Sequence, residues 1–210
     1  MFNELLLENG RIFYREEHDG GGSIFGINSL KDKRVLNNIK KGNILEMCSG
    51  PGFMGFYLNF LGYCDYLILS DINNDHNEAI SETIRYNELT NTKFIQSDSF
   101  KSFYIHNTFD TIVINPPHYS SERNGGYISK EEELICMDKD LKFQKDFFRA
   151  ARNYLKKDGV IVLIGNMGGI QPEETLEIAK DEFEGEIIAC ERYGWIRDSK
   201  FYVLKLKLKD

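Results

Sequence analysis

Four cysteines, four prolines, four histidines and a single tryptophan are all that 210 residues contain of these types. Cys48, Cys64, Cys136 and Cys190 lie far apart, with no CxxC pair and no adjacent histidine. That excludes a zinc cluster and a disulfide framework, and the four read as reduced thiols with no metal expected. No apolar run reaches the ~18 residues a spanning helix needs. The start, Met1-Phe2-Asn3-Glu4, lacks the basic opening and cleavage site of a secretory signal, so the expected address is cytoplasmic with no membrane partner. Positive charge is the scarcer sign, 26 basic against 33 acidic residues for a net −7. A protein whose whole surface tracks a phosphate backbone has the opposite balance, so charge disfavours a nucleic-acid partner. Composition leaves the oligomeric state open.

What is present is a chain of ordinary globular composition, 41% hydrophobic and 28% charged, long enough to bury one core. The first forty-one residues stand apart. Leu5-Leu6-Leu7 and Arg11-Ile12-Phe13-Tyr14 flank Glu8-Asn9-Gly10, which reads as a hairpin with Asn-Gly supplying a type I′ turn. Gly20-Gly21-Gly22-Ser23 follows as a hinge, and Ser29 to Lys41 is helix-like. Residues 1–41 are therefore expected to be an appendage that covers the substrate, and 42–210 the catalytic domain.

From Asn43 onward, apolar runs at 44–47, 66–69, 93–96, 111–114 and 160–164 alternate with helix-period segments at about 53–62, 74–88, 141–157 and 172–182. Continuous apolar strands separated by helices predict a parallel sheet covered on both faces. Residues 186–190 and 201–206, joined by a short polar stretch, predict an antiparallel hairpin at the sheet edge. The expected fold is α/β and Rossmann-like: seven strands, mostly parallel, with helices on both faces.

Four motifs sit at strand ends. Glu46-Met47-Cys48-Ser49-Gly50-Pro51-Gly52-Phe53-Met54-Gly55 follows the first core strand and opens a helix. Its glycines allow a tight turn and close ligand approach, in the pattern of a dinucleotide fingerprint. Asp71 closes the second strand, placed to accept ribose hydroxyls with Ile72 on an adenine face; as a plain helix N-cap it would serve equally well. Ser97-Asp98-Ser99 follows the third strand, where Asp98 suits either an exocyclic amine or a turn. Ile114-Asn115-Pro116-Pro117-His118 ends the fourth. Proline has no N–H to continue a ladder, so the chain leaves the sheet in a rigid corner. That corner presents the Asn115 carboxamide, the Pro116 carbonyl and the His118 ring, which suit a planar group bearing an amino nitrogen.

Taken in order, these motifs resemble the class I S-adenosylmethionine-dependent methyltransferases, in the branch with an Asn-Pro-Pro-Tyr type corner. That branch includes amino-methyltransferases of nucleic-acid bases and the HemK-like glutamine methyltransferases of release factors. The likeness covers about residues 40–208. It extends to Cys48-Ser49-Gly50-Pro51-Gly52 and to Tyr154-Leu155-Lys156-Lys157-Asp158-Gly159-Val160, which look like HemK-like segments. The resemblance implies that Glu46, Cys48, Ser49, Gly50, Gly52, Asp71, Ile72, Asp98, Ser99 and Asn115 hold S-adenosylmethionine. It also implies that Asn115, Pro116 and His118 hold the acceptor nitrogen, with Pro117 and Tyr119 binding substrate. His118 departs from the usual Tyr or Phe, and Tyr119 is able to supply the missing ring. The segment from Tyr119 to Asp140 is long for a connection and reads as a second lid.

The implied function is methylation of an amide, guanidine or aromatic amine nitrogen on a protein side chain or small molecule. Methylation of an RNA or DNA base shares the corner but needs a basic surface. The candidates for that surface are Lys31 to Arg34, Lys40-Lys41, and the alternating Lys205, Lys207 and Lys209, which as edge-strand residues would instead guard against aggregation. A nicotinamide-dependent oxidoreductase shares only the glycine motif.

Overall fold

In a computed structural model of the chain, residues 1–15, 23–119, 135–192 and 200–209 are described. Strands β1 (Asn3–Leu7) and β2 (Gly10–Tyr14) form a hairpin, followed by helices α1 (Ser23–Lys31) and α2 (Lys33–Leu36). The main sheet begins with β3 (Gly42–Met47), then α3 (Phe53–Phe60), β4 (Cys64–Asp71), α4 (Asn77–Tyr86), β5 (Thr92–Gln96) and β6 (Phe109–Ile114). It ends with α5 (Lys142–Ala151), β7 (Leu155–Asn166), α6 (Pro172–Ala179), β8 (Phe183–Arg192) and β9 (Lys200–Leu208). The seven strands run in the order β5-β4-β3-β6-β7-β9-β8. β3 through β7 pair in parallel, while β9 is antiparallel to both its neighbours.

Alternate residues of one strand feed two cores, as a sheet covered on both faces requires. Ile44, Leu67, Leu69, Val113 and Val162 join Leu30, Val35, Phe56 and Ile80 of α1 to α4 on one side. Leu45, Met47, Ile112, Ile114 and Ile161 join Phe147, Phe148 and Ala179 of α5 and α6 on the other. The strand order reverses at β3, which pairs β4 on one side and β6 on the other, so a crevice opens at the strands' C-terminal ends.

The structure revises several sequence expectations. Leu7 pairs with Gly10, so the hairpin loop is Glu8-Asn9, and neither Asn9 nor Gly10 has the positive φ of a type I′ turn. Gly10 is needed for proximity: a Cβ there would lie 2.5 Å from the Phe60 ring. The helical stretch expected over Ser29 to Lys41 is instead α1, beginning at Ser23, and the short α2, capped by Asp32 and ending at Leu36. The helix expected over 141–157 stops at Ala151, because Leu155 already pairs with Phe109 before a register shift brings Val160 opposite Thr111. The C-terminal pair is longer than expected, and β9 lies inside the sheet with β8 at the edge. Lys205 and Lys207 therefore face Glu186 and Glu184 across the strand pair rather than guarding an edge.

The N-terminal residues share the main core. Ile12 is fully buried in the core cluster that also holds Phe56 of α3 and Ile80 of α4. Thr83 of α4 and Asn87, which caps its C-terminus, accept from the Phe13 and Arg11 backbone N–H groups at 2.9 and 3.0 Å. Phe25 of α1 stacks on Phe201 at 4.2 Å between centroids. The triple glycine 20–22 and residues 120–134, which carry both hinge and lid expectations, lie outside the described residues.

Candidate active site

A cavity of about 320 Å³ opens over the C-terminal ends of β3, β4 and β6, within the range of small-molecule sites. It is lined by Glu46, Cys48, Ser49, Gly50, Asp71, Ile72, Asp98, Ser99, Asn115, Pro116, Pro117 and His118, so almost every expected residue meets in one place. Gly52 and Tyr119 do not line it. Gly52 is the cap residue of α3 at φ 85°, and a Cβ there would sit 2.6 Å from Leu69. Tyr119 stands behind His118, with ring centroids 4.6 Å apart and its hydroxyl accepting from Asn166 at 3.2 Å.

The loop after β3 is held from below. Cys48 and Gly50 take φ of 54° and 49°, the left-handed turn that lifts the loop over the strand ends. Ser49 N–H donates to the Ser70 carbonyl at 3.0 Å, tying this loop to β4. Asp71 accepts from Gly50 N–H at 2.8 Å and from Asn73 N–H at 2.9 Å. Its carboxylate thus orders the loop and its own turn, while a carboxylate has further lone pairs for a ligand. The cap of the following turn is Asn73, whose side chain accepts from Asp75 N–H. Ile72 leaves 47% of its surface exposed beside the cavity. Asp98 is exposed and paired with Lys101. Burial, with the negative charges of Asp71, Asp138 and Glu46, pushes the Cys48 thiol well up, so it stays protonated.

Glu46, which lines the cavity, also has partners within the chain. Its side chain is 2% exposed and accepts from Gly55 N–H at 2.7 Å and Met54 N–H at 3.3 Å. Those are the free N–H groups at the start of α3, the place where a dinucleotide fold receives a pyrophosphate. Here a carboxylate of the chain itself already takes them. Burial raises the Glu46 carboxyl to about 8, opposed by the two N–H bonds and helped by the charge of Asp71.

The corner after β6 is braced by residues that the sequence did not single out. Asp138 accepts from Phe143 and Gln144 N–H at 2.7 and 3.0 Å, starting α5, and Gln144 Nε2 donates to the Pro117 carbonyl at 3.2 Å. His118 and Tyr119 N–H both donate to the Cys136 carbonyl at 3.0 Å. Gly169 leaves room for this turn: a Cβ there would be 2.3 Å from the His118 carbonyl oxygen. Asn73, His76, Ile135, Met137 and Phe143 add to the cavity wall. Ile135, Met137 and Phe143 lie far along the chain from the motifs, whereas Asn73 and His76 directly follow Asp71 and Ile72.

Two polar atoms in this wall are buried without a hydrogen-bond partner, Asn115 Oδ1 and Ser99 Oγ. A buried acceptor left unpaired costs about 1–3 kcal/mol, and native structures rarely keep one without a ligand or strain to explain it. The lining carries the carboxylates Asp71 and Asp98, with the Glu46 carboxyl held largely neutral by burial, and, among the described residues, no lysine or arginine. That donor set and sign suit a ribose, an amino group and a sulfonium, and do not suit a pyrophosphate. S-adenosylmethionine fits this wall.

Fold and site together define a class I S-adenosylmethionine-dependent methyltransferase domain. Residues 5–185 match the model of one family, and the chain belongs to it: the methyltransferase small domain family. The release factor glutamine methyltransferase of Fusobacterium nucleatum is 23% identical over 77% of this chain and 47% of its own length. The ribosomal RNA small subunit methyltransferase C of Haemophilus ducreyi is 37% identical over 37% of this chain and 23% of its own. The chain thus spans about half or less of these curated relatives. Among solved structures, a 16S rRNA N2 methyltransferase of T. thermophilus, in complex with AdoMet and guanosine, superposes with a TM-score of 0.67. It is 14% identical, covering all of this chain and 50% of that one. A complex from E. cuniculi responsible for methylation of the eRF1 termination factor gives 0.61 at 15% identity, covering 93% and 99%. No described helix is long and apolar enough to cross a membrane.

Proposed function

We propose that the protein transfers the methyl group of S-adenosylmethionine to a planar nitrogen of a protein side chain or small molecule. The observation that carries this reading is the buried, unpartnered Asn115 Oδ1 at the corner after β6. When bound, the cofactor supplies a sulfonium methyl that is already electrophilic, so the chain's task is alignment and charge stabilisation. The loop from Ser49 to Gly50, with Asp71, Ile72, Asp98 and Ser99, holds it.

A nitrogen conjugated into an amide, guanidine or aromatic ring keeps its lone pair in the π system and is a poor nucleophile. Asn115 Oδ1, accepting one of its hydrogens, turns the lone pair toward the methyl. Methyl transfer from a sulfonium held in this wall would leave that nitrogen positively charged. Asn115 Oδ1 and the Pro116 carbonyl, fixed before the reaction, stabilise that charge. The methylated nitrogen is then acidic and loses its extra proton without a strong base. For residues 1–41 we propose a bracing part: Tyr14 packs edge-on against Phe53 at 5.3 Å, and Gly26 lets α1 approach Met54, both in the cavity wall.

A nucleic-acid base as acceptor draws support from the rRNA-directed relatives; of the basic candidates, Lys205 and Lys207 are opposed by glutamates and Arg34 is paired with Asp32. Methyl-labelled S-adenosylmethionine, offered with separate protein, RNA and small-molecule fractions, tests the proposal. Label on nitrogen in the protein or small-molecule fraction is expected. Label confined to RNA moves the acceptor class, and label on carbon, oxygen or sulfur refutes the nitrogen chemistry.

A further inference from the structure

The corner Asn115-Pro116-Pro117 has little means of holding itself. Its two prolines carry no N–H, their φ angles are fixed by the ring, and a residue before a proline is kept extended. The corner thus behaves as a short rod whose direction is set by where its two ends are held. One end is the β6 ladder, where Ile114 pairs with Met47 and Leu163. At the other, Gln144 Nε2 donates to the Pro117 carbonyl at 3.2 Å. That carbonyl can only accept, which fixes the orientation of the Gln144 amide. Gln144 is firmly anchored in turn. Its backbone N–H donates to Asp138 at 3.0 Å, and Phe147 and Phe148, one turn further along α5, are buried in the core.

An amide is an unfavourable choice for this place. Gln144 is 1% exposed, and its Oε1 is buried with no hydrogen-bond partner. A methionine would fill much the same space without an orphaned acceptor, so packing alone does not account for a glutamine here. What the amide supplies, and an apolar side chain does not, is a donor aimed at the last carbonyl of the corner. We propose that Gln144 is a positioning residue for methyl transfer: by fixing the Pro117 carbonyl from α5, it holds the rod at the angle at which Asn115 Oδ1 and the Pro116 carbonyl meet the acceptor nitrogen. This rests on the N-methyl transfer proposed above and adds to it the residue that aims the corner.

Among the described residues the cavity is lined by Phe143 and not by Gln144, so Gln144 acts through the corner rather than on a ligand. A misplacement of about 1 Å can cost ~100-fold in rate when reacting atoms must be in line. The cofactor is held by the loops after β3, β4 and β5, so its affinity does not depend on Gln144. A fall in kcat with cofactor affinity unmoved is the mark of such a role. A glutamate at this position adds a second mark. A neutral carboxyl keeps a donor for the Pro117 carbonyl, whereas a carboxylate offers it only acceptors. Burial and the negative charges of Asp138 and Asp146 favour the neutral form there, with Lys145 opposing, and raising the pH removes the proton. His118, on the corner itself, is kept neutral by burial and adds no charge.

The test uses Gln144→Met and Gln144→Glu, each alone and combined with Asn115→Ala. Single-turnover transfer from methyl-labelled S-adenosylmethionine is followed into whichever of the protein, RNA and small-molecule fractions the wild type labels. Calorimetry on the same samples gives Tm and affinity for S-adenosylhomocysteine. Expected for Gln144→Met is a Tm within about 4 °C of the wild type, unchanged affinity, and a rate roughly 10- to 100-fold lower. That loss should vanish in the Asn115→Ala background, because the corner then has no carboxamide to aim. Gln144→Glu should approach the wild-type rate at about pH 5 and fall away from it, as a ratio at each pH, toward about pH 9. Wild-type turnover in Gln144→Met overturns the proposal. So does a loss that persists undiminished with Asn115→Ala, a loss that comes with weakened cofactor binding, or a ratio for Gln144→Glu that is flat with pH. A wild type that binds S-adenosylhomocysteine and labels no fraction refutes the methyl transfer on which the role rests, and is distinct from each of these results.

Discussion

Replacing Asn115 by alanine separates a catalytic acceptor from a structural one. In the free protein Asn115 Oδ1 is buried and has no partner. Removing it deletes no intramolecular hydrogen bond at that atom and relieves an unpaired acceptor worth about 1–3 kcal/mol. Because the residue lines an open cavity, the truncation adds to existing space and leaves no new void in the core. Stability should therefore hold or rise. For a domain of this size about 1 kcal/mol corresponds to ~2–4 °C in Tm, so the variant should melt no lower than the wild type, by up to a few degrees higher. Turnover behaves oppositely. Losing one preorganised group aimed at developing charge costs roughly 100- to 1,000-fold in kcat, and affinity for S-adenosylhomocysteine should barely change. Calorimetry for Tm and cofactor affinity, with single-turnover methyl transfer, reads all three. A fall of several degrees in Tm with a parallel loss of activity would show that Asn115 is scaffolding and refute the reasoning.

Two further outcomes follow from the floor of the site. Gly55→Ala would press a methyl to within 2.7 Å of Glu46 Oε2 and of Leu69 Cδ2, so it should cost about 1–3 kcal/mol by overpacking. An unchanged Tm would mean that β3 and α3 are less closely packed than described. The Glu46 carboxyl, raised by burial to about 8 from an ordinary 4.5, binds its proton more tightly in the folded state. Its contribution to stability is fully present below about pH 4.5 and is lost as pH rises through 8. Melting temperatures from about pH 5 to 9 should fall more steeply for the wild type than for Glu46→Gln, and equal slopes would contradict the shift.

The sheet was legible because continuous apolar strands alternating with helices leave few arrangements: 44–47, 66–69 and 111–114 all pair in parallel as expected. The boundaries that failed lie where a local pattern was overridden by a distant partner. Leu155 reads as helix from its neighbours and is strand because Phe109 pairs with it. Gly10 reads as a turn glycine and is required by the Phe60 ring fifty residues away. Lys205 and Lys207 read as edge guards until β8 covers them. In the site, the motif residues were legible because each ends a strand. The braces were not: Asp138, Gln144, Asn166 and Gly169 support the corner through hydrogen bonds and close approaches that no spacing announces. Glu46 was legible as a site residue, but its bonds to main-chain N–H groups of α3 were not, because main-chain partners leave no mark in the residue pattern.

Glu46 already occupies the N–H groups of α3 and no lysine or arginine lines the cavity among the described residues, so the crevice should take a sulfonium nucleoside and not a pyrophosphate. Isothermal calorimetry with S-adenosylhomocysteine and with NAD, on wild type and Asp71→Asn, measures it most directly. Expected is one site for S-adenosylhomocysteine, weakened roughly 5- to 150-fold in Asp71→Asn by loss of about 1–3 kcal/mol of charge-assisted bonding, and no heat with NAD. Preferential binding of NAD would contradict it.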